Sequence, residues 1–123
     1  MILGIEHTAI ASPDPQKLAR WYVETLGFAI HSDSGRTVFL RAPDGTMIEI
    51  ITAEGERPPS GLKTPGLRHL ALRVADFDAA CAKLQACGVG WLGEPSRSQG
   101  TRLVFFADPE GNVLHLIQRD AAP

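Results

Sequence analysis

Ile5-Glu6-His7-Thr8-Ala9-Ile10 and Leu67-Arg68-His69-Leu70-Ala71-Leu72 are two versions of one opening strand. Each has its own closing strand. The first copy ends Pro43-Asp44-Gly45-Thr46-Met47-Ile48-Glu49-Ile50-Ile51, and the second ends Pro109-Glu110-Gly111-Asn112-Val113-Leu114-His115-Leu116-Ile117. His7 aligns with His69, and Glu49 aligns with His115. Such internal repetition identifies an architecture better than any single residue. Side chains that can bind metal, placed at matched positions, point to chemistry as well.

Between these landmarks each copy reads β-α-β-β-β. In the first, Asp14 can cap a helix whose first turn accepts Pro15, since no amide hydrogen is needed there. Leu18, Trp21, Tyr22 and Leu26 follow at helical spacing and Gly27 ends the helix. Strands are expected near residues 28–31, 37–41 and 47–52, separated by turns at Asp33-Ser34-Gly35 and Pro43-Asp44-Gly45. In the second, a strand over 67–74 precedes a helix capped by Asp76, with Phe77, Ala80, Cys81 and Leu84 as its apolar stripe and Gly88 beyond its end. Strands near 90–92, 103–106 and 113–118 complete the set. The Pro-, Gly- and charge-rich stretch 54–66 is a linker. The expected organisation is one domain over 1–123, with a first module at 1–53 and a second at 67–120.

Composition narrows the function. The 123 residues carry a formal net charge of −2 and 44% hydrophobic residues, as in an ordinary globular protein. No basic run with interleaved aromatics suggests nucleic acid. No apolar stretch approaches the roughly 18–20 residues that span a bilayer, and the N-terminus lacks the pattern of a signal peptide. Cys81 and Cys87 are six apart on a helix, so they sit on different faces and outside any CxxC motif. These features favour the cytoplasm.

Strand alternation decides where the aligned residues point. His69, Ala71 and Arg73 share one face of their strand, and Leu70, Leu72 and Val74 share the other, which should pack on helices. Met47, Glu49 and Ile51 share a face, as do Val113, His115 and Ile117. The four aligned groups therefore project away from the helices. An inward carboxylate such as Glu49 needs a cation or several donors. A shared metal site satisfies all four groups; a metal-free His–Glu cluster lining a polar pocket is the plainer alternative.

These residues resemble the vicinal oxygen chelate superfamily, the group of glyoxalase I, bleomycin-resistance proteins and extradiol dioxygenases. The resemblance covers nearly the whole chain. Its strongest signals are the strand of His7, the Trp21-Tyr22…Leu26-Gly27-Phe28 helix end and Asp108-Pro109-Glu110-Gly111-Asn112 before the last strand. It implies an α+β fold of two tandem βαβββ modules in a cupped eight-stranded mixed sheet with helices outside, often as a homodimer. It also implies one divalent transition metal, Zn, Ni, Co, Mn or Fe, held by His7, Glu49, His69 and His115. One departure stands out: the last ligand is usually Glu in this family and is His115 here. Imidazole and carboxylate still make a sound divalent site.

The resemblance implies a small-molecule substrate that chelates the metal through vicinal oxygens. In a glyoxalase-type lyase or isomerase a proton moves between adjacent carbons, with Glu49 as base and His115 as its partner. The rival reading is an extradiol Fe(II) dioxygenase, which His115 at the last position disfavours. A third is an antibiotic-binding resistance protein without turnover, and a fourth, weaker one is thiol or water transfer onto an epoxide antibiotic. For the substrate pocket, Arg73 shares the face of His69 and could meet an anionic group, and Phe39, Met47, Trp91 and Phe105 could line an apolar wall. Core packing is the plainer role for those four, and a surface ion pair for Arg73. Arg36, Arg41, Arg97 and Arg102 are too scattered along the chain to assign to an anion.

Overall fold

The computed structural model describes residues 1–120. The chain forms two compact units, Met1–Pro58 and a second that begins at Pro59. The boundary lies inside the expected linker. Each unit builds one four-stranded mixed sheet and one helix.

In the first unit, β1 (His7–Ser12) leads into α1 (Pro15–Leu26), followed by β2 (Ala29–Asp33), β3 (Val38–Arg41) and β4 (Met47–Thr52). The sheet order is β1-β4-β3-β2. β1 runs parallel to β4, which runs antiparallel to β3. Asp14 caps α1 by accepting a hydrogen bond from the Lys17 amide at 3.1 Å. Gly27 stops the helix in the left-handed conformation at φ 81°, which glycine adopts without a Cβ clash. The helix buries Leu18, Ala19 and Tyr22 against the sheet. From the sheet, Ile10, Val38, Leu40, Ile48 and Ile50 are buried in turn. Strict alternation thus assigns one face to the core and leaves the other to His7, Phe39 and Glu49.

The second unit repeats the plan with β5 (Leu70–Arg73), α2 (Phe77–Ala86), β6 (Ser96–Ser98), β7 (Thr101–Ala107) and β8 (Val113–Arg119), in the order β5-β8-β7-β6. Asp76 caps α2 through the Ala79 amide at 3.0 Å. The Phe77 amide donates to Gln118 Oε1 at 2.7 Å, tying the start of the helix to the end of β8. Phe77 and Leu84 pack inward with Val104, Phe106, Leu114 and Leu116.

One strand lies elsewhere than the sequence suggests. Residues 90–92 form no strand, only an isolated bridge from Trp91 to Phe106. Gly90, Gly93 and Pro95 flank that bridge and prevent a ladder from extending. The fourth strand is instead Ser96–Ser98, hairpinned onto β7. Its turn is Gln99-Gly100, with φ 50° and 74°. Positive φ at both positions is the geometry whose twist suits a two-residue hairpin. A Ser-Arg-Ser strand with Gln in place of Asn or Asp carries little signal in sequence. Both cysteines are free. Among the described residues, no helix is long and apolar enough to cross a membrane.

Leu40 is fully buried beneath α1, whereas Ile30, on edge strand β2, is 56% exposed. Leu40→Ala is expected to cost about 2–5 kcal/mol by transfer and cavity terms, and Ile30→Ala within about 0.5 kcal/mol of neutral. Urea unfolding of the two variants checks this; equal losses would mean that α1 does not cover β3 in solution.

Candidate functional site

Strand pairing places the aligned residues. In the first unit, His7 pairs with Met47 in the parallel ladder and Ala9 with Glu49, so Glu49 is the diagonal neighbour of His7. Long side chains on one face reach across such a diagonal. His7 Nε2 lies 3.5 Å from Glu49 Oε1, too long for a strong hydrogen bond. Phe39, directly opposite Glu49 on β3, sets its ring edge-on to His7 with centroids 5.5 Å apart. The other ring nitrogen, Nδ1, is 2.5 Å from Glu6 Oε1.

The second unit repeats this cluster at the same register. Ala71 pairs with His115, and Phe105 stands opposite His115. His69, one residue before β5, brings its ring to 4.6 Å from that of His115. Phe105 contacts both imidazoles edge-on, at 5.2 Å and 4.8 Å. His115 is the buried member, 6% exposed. Neither of its ring nitrogens has a hydrogen-bond partner. A buried polar atom left unsatisfied costs about 1–3 kcal/mol. Burial, then the neighbouring His69 and Arg119, push its pKa below the ordinary histidine value. The ring is therefore neutral near pH 7, the form that offers a lone pair to a metal.

The expected ligands thus gather as two pairs, His7 with Glu49 and His69 with His115. Among the described residues, no group of three or more His, Cys, Asp or Glu side chains is assembled as a metal cage. The donor chemistry of the pairs nevertheless fits a divalent transition metal, with imidazole nitrogens and a carboxylate. Such an ion would satisfy one of the two orphaned nitrogens of His115, the one that carries the lone pair.

Of the expected substrate contacts, Phe39 and Phe105 lie beside the two pairs, and Met47 neighbours His7 on the same face. Arg73 pairs with Ile117, two residues beyond His115 on the same face. Trp91 is different. Its ring packs on Phe106 at 6.3 Å, and Phe106 is a core residue on the opposite face from Phe105. Trp91 is placed to cover the core, and its bridge to β7 explains why.

Sequence reasoning missed Glu6. With Nδ1 protonated, His7 donates to this carboxylate, which turns the lone pair of Nε2 toward Glu49. Ligand histidines are commonly oriented by a carboxylate in this way. The Glu-His dipeptide was the available signal. The second unit lacks the device: Arg68 stands at the matching position and donates instead to the Gly61 carbonyl at 3.3 Å.

Two predictions follow from this geometry. Glu6→Ala is expected to weaken zinc binding about 10- to 100-fold and to shift the His7 ring away from the Nδ1–H tautomer in ¹⁵N NMR. An unchanged tautomer would remove Glu6 from the site. His115→Leu is expected to stabilise the metal-free protein by about 1–3 kcal/mol, because it removes two unsatisfied nitrogens. The unfolded chain binds a proton that the folded His115 refuses, so wild-type stability is complete above the usual imidazole range and declines as pH falls through it. His115→Leu should flatten that decline; thermal melts of apo protein across pH test both effects.

The chain has relatives among known proteins. The chain is 34% identical to an ethylmalonyl-CoA/methylmalonyl-CoA epimerase of Cereibacter sphaeroides, covering 89% of this chain and 91% of that one. It is 28% identical to a probable lactoylglutathione lyase of Vibrio cholerae, over 96% and 92% of the two chains. Among solved structures it resembles TnmS3, an antibiotic binding protein from Streptomyces sp. CB03234, with a TM-score of 0.77, 33% identity and 97% and 98% coverage. Residues 4–116 match the family model for the Glyoxalase/Bleomycin resistance protein/Dioxygenase superfamily, and the chain belongs to that family.

Proposed function

We propose that this protein is a metal-dependent isomerase or lyase of the glyoxalase I kind, acting on a small substrate with vicinal oxygens. The observation that carries this reading is His115, a buried imidazole with both nitrogens unpartnered and a second imidazole 4.6 Å away. A purely structural histidine would be expected to spend at least one nitrogen on a hydrogen bond. The unit-matched pair of His7 and Glu49 supports it.

His7 with Glu49, and His69 with His115, would each offer a pair of ligands to a divalent ion. Bound there, a divalent ion supplies Lewis acidity toward a carbonyl oxygen and so acidifies the neighbouring C–H. Glu49 is the chain's own base. Its carboxylate takes the proton from carbon and returns it, to the adjacent carbon in an isomerisation or to the same carbon in an epimerisation. General-base catalysis of this kind contributes about 10²–10⁴-fold. With its lone pair on the ion, His115 would hold the metal and leave proton transfer to Glu49. Phe39 packs edge-on against His7, and Phe105 against His69 and His115, so each pair has an aromatic neighbour.

A second reading, capture of an aromatic antibiotic without turnover, is supported by the 33% identity to TnmS3. The two readings separate on metal and proton exchange. Elemental analysis of purified protein is expected to give about one Zn, Ni, Co or Mn per site, and His69→Ala to lose it while keeping the fold. With the methylglyoxal–glutathione adduct in D₂O, wild type should incorporate deuterium at carbon, and Glu49→Gln should be at least about 10²-fold slower at saturating metal. No uptake of any of these ions would leave the binding-protein reading. Uptake of Fe alone, with oxygen consumed on adding a catechol, would put a dioxygenase in its place.

A further inference from the structure

We propose that Arg41 is the specificity-determining residue of this site, and that the substrate carries a carboxylate beyond its chelating oxygens. This rests on the reading that His7 and Glu49 belong to a substrate-binding metal centre.

Arg41 ends β3 directly opposite Met47, and Met47 is itself the ladder partner of His7. His7, Met47 and Arg41 therefore form one row on the face that carries Glu49 and Phe39. Arg41 is a diagonal neighbour of Glu49 in that sheet, within about 7–8 Å between backbones. Despite this it makes no ion pair with Glu49 or with any other described residue. The guanidinium folds over the turn that follows β3; a Cβ at Gly45 would sit 3.7 Å from its Nη2. The glycine, at φ 92°, serves the turn and leaves that space open.

The repeat shows that the fold does not require this arginine. Phe39 corresponds to Phe105, and two residues on Arg41 corresponds to Ala107, in the same turn-leading position of the same strand. The second module folds with a methyl group there. An exposed cation that no carboxylate among the described residues satisfies, one row from the proposed base, is placed to receive an anion. A guanidinium offers a planar fork to a carboxylate. A single guanidinium matches one carboxylate in both charge and planar geometry.

The test uses two chelating probes with one head group, acetohydroxamic acid and the mono-hydroxamate of succinic acid, titrated calorimetrically into zinc-loaded protein. Wild type is expected to bind the acid about tenfold more tightly than the neutral compound. Arg41→Met should abolish that preference and change the neutral ligand's affinity less than about twofold; Arg41→Lys should retain part of it. Equal affinities in wild type would overturn the role of Arg41 while leaving chelation intact. A preference that survives Arg41→Met but is lost in Arg73→Met would move the anion to Arg73 and also overturn the proposal. Failure of both probes to bind would overturn the metal centre itself, and the role of Arg41 with it.

Discussion

In each module the first strand lies parallel beside the last, and the candidate site depends on that pairing. A parallel neighbour cannot be reached by a tight turn; the chain must cross over through other structure first. Here the helix and two intervening strands make that excursion before β4 returns to β1 and β8 to β5. The pairing brings residues 42 and 46 positions apart in sequence into contact, His7 with Glu49 and His69 with His115. A shift of one residue in the last strand would turn its member of the pair into the helix-facing core. Burial of Ile48 and Ile50 beneath α1, and of Leu114 and Leu116 in the second unit, therefore fixes the register that aims the polar groups the other way.

That aim has an energetic consequence concentrated at His115. Its neighbours Leu114 and Leu116 are core residues, and the ring is buried with them in accessibility although it faces the other side of the sheet. A leucine there would suit the local environment better. The imidazole is retained with no hydrogen bond to either nitrogen, and burial holds it neutral. Functional sites are where such local inconsistencies are expected. The tension is relieved if an ion satisfies the ring, in which case metal binding also contributes to folding stability.

The fold was legible because two signals agreed. Helix boundaries were written in Asp14-Pro15, Gly27 and Asp76, residues whose side chains or backbone freedom act locally. Strand faces were written in alternation, as in Met47-Ile48-Glu49-Ile50. The missed strand, Ser96–Ser98, shows the limit. It buries no side chain, so it leaves no hydrophobic pattern, and it exists because the Gln99-Gly100 turn folds it onto β7. Trp91 packs on the core residue Phe106, the plainer of its two roles; aromatic character alone does not reveal which face a single bridge presents. Within the site, the aligned pairs could be read from the repeat. Glu6 could not, since its role depends on a side-chain contact rather than on periodicity.

Duplication also separates what the architecture requires from what the site adds. Positions held in common, Phe39 with Phe105 and His7 with His69, keep the same ring contacts in both units. The differences on that face are polar: Glu49 against His115, Glu6 against Arg68, Arg41 against Ala107. Glu6, Glu49 and Arg41 thus put two carboxylates and a cation on the first module, against Arg68, two imidazoles and a methyl group on the second. A module built only for packing would have no reason to diverge there, because each version folds on the same register. The asymmetry instead marks the face that carries Glu49 in one module and His115 in the other as the part of the fold where chemistry varies while the register is kept.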